Sequence, residues 1–190
     1  MSIDGRKSVG SAGLLVTLFI LFLAIYYLRL DNVVGMFRDD AWYALLAKAL
    51  ANGRGYTLIN SPTEGIVPIY PPLYSLLLSL VFRMASQFPE NLFFLKSVSI
   101  MAMLIASVLG YLYFIIRDCS KGIAIILAAV VGFSPGLVFI ATSSLMSECV
   151  YMMVQLGSII LIHKSTHTLV VPEKKDKVNK YAMFIELDIM

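Results

Sequence analysis

Leu73-Tyr-Ser-Leu-Leu-Leu-Ser-Leu-Val-Phe-Arg-Met84 is apolar enough to enter a bilayer but short for a crossing. As a helix it covers only ~18 Å of a hydrocarbon core ~30 Å thick. Longer apolar stretches flank it: Ala12 to Leu28 before, and Ser97 to Ile116, Gly122 to Met146 and Cys149 to Ile162 after. If the short run crosses, the chain spans five times, and the acidic pair Asp39-Asp40 faces the opposite compartment from Glu148. If it lies in the interface, the chain spans four times and these acids share a side.

Basic residues decide between the two, because short cytoplasmic loops carry the excess of Lys and Arg. Four crossings put Arg6 and Lys7, Arg117 and Lys121, and Lys164 with the Lys174-Lys175-Asp176-Lys177 tail on one face. Five crossings would place Arg117 and Lys121 in a tight outer loop. The sequence therefore predicts an all-α membrane protein with spans at about 12–28, 97–116, 122–146 and 147–162. A long outer loop, 30–96, carries interfacial amphipathic helices, and residues 1–163 form one module. Residues 164–190 are a charged cytoplasmic tail, in which 181–190 reads as the start of a further helix cut short. The expected location is the plasma (inner) membrane, with the N-terminus cytoplasmic.

Composition agrees. The chain is 59% hydrophobic and 14% charged, against roughly 45–50% and about 25% for a globular domain. A net charge of +3 with no basic stripe argues against nucleic-acid binding. Zinc-type Cys/His spacing, a phosphate loop and a G-x-S-x-G elbow are all missing from the sequence. Cys119 and Cys149 fall at opposite ends of one predicted span, too far apart to bridge. The first apolar run ends in Tyr26-Tyr27-Leu28-Arg29 with no small-x-small cleavage site, which reads as an uncleaved signal anchor.

In the outer loop, Asp39 or Asp40 is placed to cap a helix whose apolar positions Trp42, Leu45, Leu46, Ala49 and Leu50 follow helical spacing. That stripe is expected to lie in the acyl boundary, with Asn52-Gly53 as the stop. Tyr70-Pro71-Pro72-Leu73 opens the next helix, since proline suits the first turn. Pro135, after Gly132, should kink the third span. A cap needs one carboxylate and the chain supplies two, so chemistry at the membrane surface is the alternative for the second.

Asp39-Asp40-x-x-Tyr43, Asn52-Gly-Arg-Gly-Tyr56, Tyr70-Pro-Pro-Leu73 and Ser147-Glu148, in that order, resemble the N-terminal part of polytopic membrane glycosyltransferases of the GT-C fold. The nearest in pattern are the dolichyl-phosphate-mannose protein mannosyltransferases and the lipid A aminoarabinose transferases. The resemblance covers about Ala12 to Ile162. It implies transfer of a sugar from a polyprenyl-phosphate donor to a protein, lipid or glycan acceptor on the non-cytoplasmic face, with inversion. Asp39 would then be the base or orienting carboxylate, with Asp40 and Glu148 as further catalytic acids. Together the three would form an oxygen-only set for a divalent cation such as Mg2+ or Mn2+. Lys96 and Arg54 would meet the donor phosphate, and Tyr43 and Tyr70 the sugar or carrier. Plainer roles stand beside these: a cap for the aspartates, a first-turn acid for Glu148, snorkelling for the cations, and an interfacial belt for the tyrosines. Two other functions fit the pattern, a non-catalytic membrane scaffold or subunit and a transporter fragment, though acids at an interface suit transport poorly.

Overall fold

The computed structural model describes residues 5–60, 62–63 and 69–166, with side chains from residue 13 onward. Seven helices account for them: α1 (Gly5–Arg29), α2 (Arg38–Ala51), α3 (Pro72–Met84), α4 (Leu92–Ile116), α5 (Lys121–Gly132), α6 (Pro135–Ser143) and α7 (148–166). No strand occurs among the described residues. The expected helix start at 181–190 and most of the charged tail lie outside them.

The short apolar run forms a helix of its own, α3, entered through Pro71 in extended conformation with Pro72 in its first turn. It packs on α2 and on α4. Tyr74, Leu78 and Phe82 make its buried face, while Leu73, Leu76, Leu80 and Met84 stay exposed on the other.

Helix α4 is long and apolar enough to cross a membrane by itself. Its outer face, including Met101, Ile105, Val108 and Leu112, is exposed and apolar, although the helix also lines the core with Leu95, Ile100, Met103 and Ala106. A helix apolar all round suits burial or lipid. It begins a turn earlier than the span expected at 97–116, which puts Lys96 inside the helix instead of in the loop before it.

The stretch 122–146, read as one span, is two helices meeting at 46°. Pro135 causes the break, because it cannot donate to the carbonyl of Val131 and its ring displaces that turn. Beside it, the carbonyl of Gly132 accepts a hydrogen bond from the buried Tyr26 hydroxyl at 2.8 Å, tying α1 to the bend. Gly132 also lets α5 come close to α4: a Cβ there would sit 2.6 Å from Ser107 Oγ. Ser107 donates to the carbonyl of Met103, one of several helix hydroxyls satisfied by the preceding turn.

Helix α2 corrects one expectation. Its buried residues are Asp40, Tyr43, Ala44, Leu46, Ala47 and Ala49, while Trp42, Leu45 and Leu50 are half-buried. Two members of the stripe expected in the acyl boundary, Leu46 and Ala49, are thus buried against the protein together with Ala44 and Ala47, on the helix that packs most extensively on α3.

Candidate functional site

The start of α4, the end of α6, the start of α7 and the loop after α1 meet at one end of the helices. Lys96 Nζ donates to both the carbonyl and Oδ1 of Asp31 at 2.7 Å. Ser143 donates to Asp31 Oδ2 at 2.6 Å. The turn joining α4 to α5, with Arg117 and Lys121, lies at the other end of α4 and α5.

Asp39 and Asp40 occupy the first turn of α2, after Phe37 at the N-cap. Successive helical residues point about 100° apart, and the two carboxylates consequently meet different surroundings. Asp40 is fully buried. Its Oδ2 accepts from the N–H groups of Gly35 at 3.1 Å and Phe37 at 3.4 Å, and its Oδ1 accepts from Leu145 N–H at 3.1 Å. Gly35 has φ +83°, a conformation that turns its N–H toward Asp40 and that side-chain-bearing residues disfavour. Asp40 thus returns to the N-cap as the acidic half of a capping box does, and also pins the linker between α6 and α7. A catalytic or metal-binding Asp40 is set aside: both oxygens face backbone donors in a site closed to solvent.

Asp39 is half-buried and accepts from the Tyr70 hydroxyl at 2.9 Å. Tyr70 is fixed from behind by Tyr56, whose hydroxyl donates to the carbonyls of Tyr70 at 2.9 Å and Pro71 at 3.3 Å. The Tyr43 ring meets Tyr70 edge-on at 5.3 Å and Tyr74 at 5.1 Å. Tyr43 donates to Ser147 Oγ at 2.9 Å, and Tyr74 is bonded to Ser99 at 2.9 Å. Such edge-to-face tyrosines fix one another's orientation as well as burying area.

Glu148 enters from the first turn of α7, with its Oε2 buried and unpartnered among the described residues. Its charge reaches Tyr43. Burial first, then the negative charges of Glu148 and Asp39, push the Tyr43 hydroxyl above its ordinary pKa, against the opposing hydrogen bond with Ser147. Tyr70 is raised chiefly by its hydrogen bond to Asp39, with burial and that carboxylate's charge adding, and Arg38 opposes the rise. Tyr74 is raised by its complete burial. All three acids therefore act on one tyrosine cluster, Asp40 through Tyr74. They do not form a cation site: no group of three or more His, Cys, Asp or Glu is placed to hold a metal among the described residues. The expectation of Mg2+ or Mn2+ on Asp39, Asp40 and Glu148 is corrected accordingly.

Both expected phosphate partners are also corrected. Lys96 is 0% exposed and donates twice to Asp31, so its charge is used inside the protein. Arg54 is exposed in the turn after α2, about 20 Å of helix from Asp39. The cation at the Asp39 end is Arg38, exposed at the first position of α2 and felt by Tyr70.

Sequence reasoning missed Arg38, Asp31, Ser143 and Tyr74. Arg38 was legible as the residue before the acidic pair. Asp31 and Ser143 stand 112 residues apart, and nothing local links them. Compared with known proteins, the chain matches no family model, no curated protein and no solved structure.

Proposed function

We propose that the chain is the N-terminal membrane module of a transferase that moves a sugar from a polyprenyl-phosphate donor to an acceptor on the non-cytoplasmic face. In this reading α1, α4, the bent pair α5–α6, and α7 are the four spans. Helices α2 and α3 lie at the outer surface, and the membrane is the plasma membrane. The apolar exterior of α4 and the gathering of acids at one end support that topology.

One observation carries the chemical part: the half-exposed Asp39, oriented by Tyr70, sits beside Tyr43, Ser147 and Glu148 where four segments meet. Asp39 would take the proton from an acceptor hydroxyl or amine as that atom attacks the sugar carbon in line. The bond from the sugar to the phosphate oxygen breaks, and the polyprenyl phosphate leaves with its electron pair. Arg38 would neutralise the phosphate, a role suited to a planar guanidinium. Catalysis rests on positioning and on fixed charge.

The chain in nanodiscs, given a radiolabelled polyprenyl-phosphate sugar and acceptor, should transfer the sugar, and Asp39→Asn should abolish transfer while the fold is retained. Undiminished transfer in that variant would remove Asp39 from the mechanism. A second reading, a non-catalytic membrane subunit, is favoured by the structural employment of Asp40 and Lys96. It predicts no transfer by the native chain.

A further inference from the structure

The four residues 144–147 join α6 to α7 and carry Ser147 into the site, directly ahead of Glu148. They are gripped from three directions. Asp40 holds Leu145 N–H and Tyr43 holds Ser147 Oγ, both from α2. The third grip comes from Asp31, just before the linker: its Oδ2 accepts from Ser143, and its N–H donates to the carbonyl of Thr142 at 3.4 Å. Asp31 lies on the loop after α1, and its Oδ1 is steadied by the fully buried Lys96 on α4 at 2.7 Å and by the N–H of Val33 at 3.0 Å. An ion pair whose lysine is withdrawn from water is weak evidence for stability, since desolvation offsets the attraction. Its geometry does something more specific, because Lys96, with the N–H of Val33, takes one Asp31 oxygen and leaves the other aimed at Ser143.

We infer that Asp31, oriented by Lys96, is a positioning residue for the tyrosine–carboxylate site: it fixes the end of α6 so that the linker delivers Ser147 and Glu148 to Tyr43. Its effect on catalysis rests on the transfer reading above, whereas its effect on the linker does not.

The linker is read by thiol chemistry in the full chain, with Cys119→Ser and Cys149→Ala as background. Glu148→Cys places a reporter at the linker's end, and Asn52→Cys, at the exposed end of α2, serves as reference. Two double variants discard the buried charge equally. Asp31→Asn/Lys96→Met keeps an oxygen for Ser143, and Asp31→Val/Lys96→Met does not. The 148 thiol should react with a small water-soluble methanethiosulfonate at its native rate in the first. It should react up to about tenfold faster in the second, the upper factor expected for losing one hydrogen bond to a neutral amide oxygen. The reference thiol should react alike in all. Ser143→Ala, which leaves the ion pair in place, should accelerate the 148 thiol similarly. Equal rates in the two double variants, or a native rate in Ser143→Ala, would overturn the inference. In a transfer assay, Ser143→Ala should lower kcat at unchanged donor KM. Silence of that assay in the native chain would count against the transfer reading and leave the labelling result standing.

Discussion

Asp39→Asn and Asp40→Asn are the same chemical change on neighbouring residues, and the structure expects opposite results. In Asp40 the two oxygens accept three backbone N–H groups inside a fully buried site. Asparagine offers one acceptor and a donating NH2, so at least one N–H must face another donor. Keeping the oxygen toward Gly35 and Phe37 costs least in bonds, and leaves the NH2 against the N–H of Leu145, which is buried. Loss of a hydrogen bond to a charged group is ~1.5–3 kcal/mol, and stranding a buried donor adds ~1–3 kcal/mol. A total near 3–5 kcal/mol corresponds to a fall of roughly 10 °C in melting temperature for a domain of this size. In Asp39→Asn the side-chain oxygen still accepts from Tyr70 at a half-exposed position, so the change should stay within about 1 kcal/mol. Cys149, buried and free, is a natural reporter. Melting followed by a thiol-reactive fluorophore in a Cys119→Ser background measures both variants in detergent. Asp40→Asn should melt far below the parent, and Asp39→Asn should melt with it but lose transfer. Equal melting shifts, or an Asp40→Asn chain that melts normally, would refute the assignment of the two roles.

Acid should act through Asp31. Partial burial alone would raise its pKa, but hydrogen bonds from Lys96, Ser143 and Val33 together hold it below the ordinary value. The resulting stability is full above the unfolded pKa of about 3.9 and is lost as pH falls through the lower folded value. Melting temperature followed from pH 5 downward should drop more steeply in the native chain than in Asp31→Asn/Lys96→Met. Gly132→Ala should cost about 1–3 kcal/mol by crowding Ser107. Adding Ser107→Ala should recover most of that in the same melting assay. Tyr70→Phe removes the proton donor to Asp39; the melting temperature should change little, because the Tyr70 hydroxyl is open to water, while the transfer rate falls. Arg38→Gln should raise the KM for the donor, with Arg54→Gln as the unaffected control.

Local signals were readable wherever a single residue type dictates backbone geometry. Pro71-Pro72 starts α3, and Pro135 bends the 122–146 stretch at the expected place. Length and apolarity identified α4. The inward face of α2 was only partly readable: Leu46 and Ala49 belong to the apolar stripe and are buried, but hydrophobicity does not single out Ala44 and Ala47, or the acid Asp40, as buried beside them. The fate of Lys96 was hidden for a different reason. Its partner lies 65 residues earlier, and a lysine at the end of an apolar stretch looks the same whether it snorkels to a headgroup or turns inward to a carboxylate. The acidic pair was recognised as ambiguous, and the ambiguity had a physical resolution that periodicity contains: two consecutive helical positions cannot share one environment.

Under the transfer reading, that resolution bears on how such a site would be held open to substrate. A carboxylate at the edge of a hydrocarbon layer is costly unless donors are fixed around it, and a reactive one must keep some of its capacity free. Asp40 takes up backbone donors from the loop before α2 and from the linker after α6, so the segments that frame the site are joined through a residue that needs no substrate. Asp39, one position earlier on the same rigid turn, inherits that placement while a single tyrosine hydroxyl orients it. The burden of order is thus carried by the buried Asp40 and by Asp31, whose two oxygens are already taken by Lys96, Val33 and Ser143. For that reason, substitutions that loosen the linker should reduce the rate of transfer before they weaken donor binding.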